Sequence, residues 1–184
     1  INGGLTGRQC DGGTVGCIQL GRIVTVGGVV QDAVLIQEAD AESYNVRGYA
    51  TTFDEPYTLF DAGDYRVDEQ VDSHAFDECD MSDVIMQYDH QGRVFARISN
   101  NTLRVQPDEK GLFIEADLSG TELGRQLYDE IAGGYTDKMS FGFIVDKDEE
   151  LRTEAADGRV RILRTITGIS KLFDVSAVSI PANN

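Results

Sequence analysis

Ser140 is the side chain in this sequence best placed to act as a nucleophile. It lies in Asp137-Lys138-Met139-Ser140-Phe141-Gly142-Phe143-Ile144-Val145, which reads as a β-strand. Met139, Phe141, Phe143 and Val145 alternate onto one face, leaving Ser140, Gly142 and Ile144 on the other. A serine beside a glycine, opposite the bulky residues, leaves room for something to approach its hydroxyl. A plainer reading is a strand serine bonded to backbone.

Nucleophilic catalysis also needs a base within hydrogen-bond reach and a group that orients the base. Only His74 and His90 can supply an imidazole. His90 ends the apolar run Asp83-Val84-Ile85-Met86-Gln87-Tyr88-Asp89-His90, a rigid place from which to present a ring. His74 sits in a more polar stretch with the look of a short surface helix. Asp174, within Leu172-Phe173-Asp174-Val175-Ser176, is an acid inside an apolar strand. It either faces water at an edge or is buried with a partner, and a histidine would serve as one.

Other chemistries have less behind them. Paired carboxylates for glycoside hydrolysis are conceivable among 32 acidic residues, but none is singled out by its surroundings. The sequence has no phosphate-binding loop, dinucleotide fingerprint or nucleophile elbow. Cys79 has nothing electropositive nearby in sequence to activate its thiol. Cys10 and Cys17 are not at a familiar zinc spacing, and three cysteines make a poor disulfide framework. No metal and no cofactor is expected, and a reduced, intracellular setting is the simplest reading.

The elements that must position these groups are mostly short strands. Tyr44 to Phe53 reads as a first core strand, Tyr65 to Val67 as another, and Val71 to Cys79 as a short helix. Gly92 to Ile98 and Thr102 to Val105 suggest a hairpin around Asn100-Asn101. Leu112, Ile114, Ala116 and Leu118 alternate with polar or half-buried neighbours. Ser119 and Glu122 fit a capping box, Leu123, Leu127 and Ile131 follow at helical spacing, and Gly133-Gly134 stops the helix. Asp146 to Gly158 reads as a charged loop, and Val160 to Ile169 and Leu172 to Ile180 as two more strands. The pattern favours a mainly β barrel or sandwich with flanking helices over a parallel α/β sheet.

Residues 1–43 differ from residues 44–184. They are glycine-rich and β-prone, with Gly27-Gly28 as a hairpin turn, and read as an N-terminal arm or extension to a single main domain. The chain begins with Ile1 rather than methionine, as expected of one whose natural start is missing or processed. It shows no signal peptide and no apolar run near the roughly 20 residues that span a membrane. Its net charge of −16 and lack of a basic stripe argue against direct nucleic-acid binding.

Taken in order, several pieces resemble the prohead (capsid maturation) serine proteases of tailed bacteriophages, the HK97 type. They are Val46-Arg47-Gly48-Tyr49-Ala50 with Phe53; Tyr88-Asp89-His90; Gly92-Arg93 with Thr102-Leu103; Glu109-Lys110-Gly111-Leu112 and Glu115-Ala116-Asp117-Leu118; Gly124-Arg125 with Leu127-Tyr128; Met139-Ser140-Phe141-Gly142-Phe143; and Leu172-Phe173-Asp174-Val175-Ser176 with Pro181-Ala182. The resemblance spans roughly residues 44–184. It implies a closed or partly closed β-barrel like that of the herpesvirus proteases, and a serine endopeptidase with Ser140 as nucleophile, His90 as general base and Asp174 as third member. Relatives often have Glu at that third position. Oxyanion donors would be backbone N–H groups, helped by an arginine such as Arg93. Gln91 departs from the family's usual residues after the histidine, and His74 falls where relatives more often carry glycine. The implied substrates are a phage scaffold or major capsid protein precursor, and the protease itself, inside the prohead assembling in the host cytoplasm. A homodimer like that of the herpesvirus relatives is also within what the resemblance implies. The competing readings are a catalytically silent structural or scaffolding module of the virion and an unrelated acidic binding domain.

Overall fold

The computed structural model describes residues 43–179; the expected N-terminal arm and its Gly27-Gly28 turn lie outside the described residues, apart from residue 43. The described chain runs β1 (Asn45–Thr52), β2 (Tyr57–Ala62), β3 (Tyr65–Val71), β4 (Ile85–Tyr88) and β5 (Gln91–Arg97). A 3-10 turn (Ile98–Asn100) leads to β6 (Leu103–Pro107) and β7 (Gly111–Asp117), then helix α1 (Glu122–Ala132), β8 (Lys138–Glu154) and β9 (Val160–Val178).

β1, β7 and β6 form an antiparallel sheet with β7 in the middle. Leu112, Ile114 and Ala116 of β7 are fully buried, and Leu118 beyond it is nearly so, as their alternation predicts. On the other face Glu115 takes an ion pair from Arg47 at 2.8 Å.

The second sheet is built on β9. β8 runs antiparallel along one edge of it; β3 and β4 lie parallel along the other edge, end to end, with β2 and β5 outside them. Side chains of both sheets, among them Val46, Ile114, Met86, Phe141 and Val175, share one apolar core. Phe141 also stacks on Phe143, with ring centroids 4.5 Å apart.

The chain is mainly β as expected, but its sheets are open and no closed barrel forms among the described residues. β5 and β6 are the strands expected to make a hairpin around Asn100-Asn101. Instead the 3-10 turn, with Asn101 left-handed at φ 61°, sends β6 to β7 while β5 stays on β4. The ladder is therefore interrupted where a barrel would have to continue.

Three other expectations need correction. Residues 73–78 form successive turns rather than a helix, started by the Asp72 carboxylate, which accepts the His74 N–H at 2.8 Å. The α1 N-cap is Thr121 rather than Ser119: Thr121 Oγ accepts the Gly124 N–H at 2.9 Å. The supposed charged loop from Asp146 is mostly strand. β8 continues to Glu154 and β9 is a single strand of 19 residues, so the loop shrinks to residues 155–159. Charge misled the reading because this half of β8 is exposed, and an exposed antiparallel ribbon tolerates charged residues without alternation.

At the base of that ribbon lies an ionic network. Glu69 is fully buried on β3, accepting from Tyr57 Oη at 2.5 Å and from Arg164 Nη1 at 2.9 Å. Arg164 Nε donates onward to Asp148 at 2.7 Å.

Candidate active site

His90 is carried by a turn, not by a strand end. Tyr88 pairs with Gln91 across β4 and β5, leaving Asp89-His90 as a two-residue loop. Both residues have positive φ, 50° and 56°, which is the signature of a type I′ hairpin turn. Aspartate and histidine are among the few non-glycine residues that enter this region with any frequency. The turn is clasped to the end of β9 at Ala177 and to Ser179 just beyond it. The Asp89 N–H donates to the Ala177 carbonyl at 2.9 Å. The Asp89 carboxylate accepts from the Ser179 N–H at 2.8 Å and from its hydroxyl at 2.9 Å.

Asp174 lies on β9, only 2% exposed. His90 Nδ1 lies 2.6 Å from Asp174 Oδ1. A carboxylate oxygen accepts from a ring N–H, so this contact places a proton on Nδ1, and in the neutral ring Nε2 is then the acceptor. Nε2 is buried and has no hydrogen-bond partner among the described residues. The ring is thus held by one nitrogen with the basic nitrogen uncommitted.

Ser140 lies on β8, directly opposite Ser176 of β9, and Gly142 is opposite Asp174. Alternation along both strands puts all four on one face, while Met139, Phe141, Val175 and Ala177 fill the core on the other. Ser140 is 3% exposed and makes no side-chain hydrogen bond among the described residues. The structure therefore joins His90 to Asp174 and sets Ser140 on the strand beside Asp174, without a hydrogen bond from Ser140 to His90.

The absent side chain of Gly142 makes room for Asp174. A β-carbon added at Gly142 would run into Asp174 Oδ2, so the missing side chain is the space the carboxylate fills. Ser176 donates its hydroxyl to Asp174 Oδ1 at 2.6 Å. Neither contact, nor the Asp89 clasp, was foreseen from sequence. The pairing of Ser176 with Asp174 had a local signal, since residues two apart on a strand share a face.

The remaining candidates are elsewhere. His74 is exposed on the turn at 73–78 and pairs with Asp77 at 3.1 Å. The Cys79 thiol is pushed up to about 11, by burial and then by Asp80, which leaves it a poor nucleophile at neutral pH. Arg93 is exposed on β5 and lines a shallow hollow with Val94, Phe95, Thr121 and Leu123. Among the described residues, no group of three or more His, Cys, Asp or Glu side chains is arranged to hold a metal. No described helix is long and apolar enough to cross a membrane.

A family model described as caudovirus prohead serine protease matches residues 32–184. No match was found among curated proteins or solved structures.

Proposed function

The chain belongs to the caudovirus prohead serine protease family, and we propose that it cuts peptide bonds with Ser140 as nucleophile, His90 as general base and Asp174 as the acid that orients the base. The observation that carries this reading is the 2.6 Å contact between His90 Nδ1 and Asp174 Oδ1 with Nε2 left free. That is the tautomer a base needs.

Ser140 Oγ attacks the carbonyl carbon of the scissile peptide as Nε2 takes its proton. The tetrahedral oxyanion is met by backbone N–H groups beside Ser140. Collapse expels the amine, to which Nε2 returns the proton, leaving an acyl group on Oγ. Water, deprotonated by the same nitrogen, then releases the acid and restores the serine. Ser140 and His90 close to hydrogen-bond distance on binding substrate, a tightening common at sites that are loose when empty.

The substrates in this reading are the capsid precursor or scaffold of the same phage and the protease itself, inside the assembling prohead. Residues 44–184 form the catalytic domain, preceded by the arm at 1–43. The test is intact-mass analysis over time of wild type and Ser140→Ala, each mixed with that precursor. Defined fragments from wild type alone support the assignment, and equal cutting by both removes Ser140 as nucleophile. A second reading, a silent structural module, draws on the missing Ser140–His90 hydrogen bond. It predicts that neither protein cuts, even inside assembled shells.

A further inference from the structure

We propose that Ser176 is a positioning residue for the reaction: its buried hydroxyl fixes the Asp174 carboxylate, so that the carboxylate can hold His90. The proposal rests on the assignment of Ser140, His90 and Asp174 above.

Two serines face each other across β8 and β9, in the same register and on the same face. Their surroundings give them different work. Ser140 makes no side-chain hydrogen bond among the described residues. Ser176 is fully buried, and its hydroxyl is committed to Asp174 Oδ1 at 2.6 Å. A hydroxyl that already donates to a carboxylate, and that no solvent reaches, is not available to attack a peptide. It is well placed to hold the carboxylate still.

Asp174 needs such a hold. The carboxylate torsion is broad and nearly two-fold, so strand geometry alone does not fix its plane. One oxygen, Oδ1, takes both the imidazole N–H and the Ser176 O–H, at 2.6 Å each, which occupies its two lone pairs. The other, Oδ2, occupies the space left by the absent side chain of Gly142. Ser176 and Asp174 are two residues apart on one strand, so they move as a unit, whereas His90 arrives from a separate turn. Without Ser176, a single bond to a ring on that turn would have to set both the carboxylate and the imidazole. The one side-chain hydrogen bond of Ser176 among the described residues goes to Asp174, so it acts through that carboxylate.

The test uses the full chain as wild type, Ser140→Ala, Ser176→Ala and Ser176→Thr. Three quantities are measured: covalent labelling by a fluorophosphonate, kcat and KM on the capsid precursor, and the NMR signal of the His90 Nδ1 proton. In labelling, Ser140 Oγ bonds to phosphorus, fluoride leaves, and the serine proton passes to His90. We expect Ser176→Ala to lower the labelling rate and kcat about tenfold, the scale of one hydrogen bond to a charged group, with KM within about twofold. The His90 Nδ1 proton signal should move, and Ser176→Thr, which keeps the hydroxyl, should recover most of the rate. Thermal unfolding checks that each variant is folded. Should Ser176→Ala not fold, Ser176→Cys, near-isosteric but only a weak donor, carries the same expectations. A wild-type kcat and an unmoved proton signal in Ser176→Ala overturn the proposal while leaving the Ser140 assignment intact. Loss of all labelling in Ser176→Ala, with Ser140→Ala still labelled, would make Ser176 the reactive serine and overturn both.

Discussion

His90 Nδ1 and Asp174 Oδ1 meet at 2.6 Å although the two residues are 84 positions apart in the chain. One comes from a left-handed turn and the other from a buried strand, and the turn is clasped to that strand by Asp89. The contact fixes which imidazole nitrogen carries the proton. Asp174→Asn keeps the volume but can present an amide N–H to Nδ1, which would flip the tautomer and put a proton on Nε2. Fluorophosphonate labelling and precursor cleavage should fall by about 10³-fold or more, with the unfolding temperature little changed. Labelling at the wild-type rate would mean that Asp174 does not govern the base.

Gly142→Ala makes a sharper steric test. The added methyl meets Asp174 Oδ2, a group pinned by His90 and Ser176 rather than a loose side-chain end. The backbone of Gly142 does not have positive φ, so strain in the main chain does not compete as a cause. Displacing the carboxylate by about an ångström should cost roughly 10²-fold in kcat. Unchanged kcat would show that the carboxylate can swing aside without consequence.

The Asp89 clasp should be visible in both stability and rate. Asp89→Asn retains a carbonyl oxygen for Ser179 and tolerates left-handed φ, so it should be nearly neutral. Asp89→Val loses both Ser179 contacts and puts a β-branched residue at φ 50°, with an expected cost of about 1–3 kcal/mol. Its kcat should fall as well, because the turn presents His90. Urea unfolding at constant m separates the first effect from a change in the unfolded state.

The parts of this molecule legible in the sequence are those set by local pattern. The placing of Met139 and Phe141 on one face and of Ser140 and Gly142 on the other follows from alternation, as does the core face of β7. Helix α1 was readable from spacing, although its cap moved two residues to Thr121 because the Thr121 hydroxyl is the one that reaches the Gly124 N–H. Asp174 stood out as an acid in an apolar strand. What could not be read depends on pairing between distant segments. The continuation of β8 through Glu150-Leu151-Arg152 is set by its pairing with β9, not by its own residues. That β5 and β6 part instead of pairing shows only at the 3-10 turn that ends at Asn101. The role of Gly142 is visible only once Asp174 is known to lie across from it.

The Glu69 network makes a prediction in pH. Burial pushes the Glu69 carboxyl above its ordinary range, outweighing the Tyr57 hydroxyl and the Arg164 guanidinium, which act the other way. An acid whose folded value is raised binds its proton more tightly when folded. Its contribution to stability is therefore fully present below the unfolded value of about 4.3, and is lost as pH rises through the folded one. Glu69→Gln has no such titration. Measured against that variant, wild type should lose stability as pH climbs from about 4 until Glu69 is ionised in the folded protein, and run parallel to it above. The slope between reports the net shift of Glu69, in which burial and Asp148 outweigh Tyr57 and Arg164, and the offset at high pH compares the ionised carboxylate with the neutral amide. Parallel unfolding temperatures across the whole range would mean that Arg164 and Tyr57 compensate the buried charge completely, so that Glu69 folds at its ordinary carboxyl value.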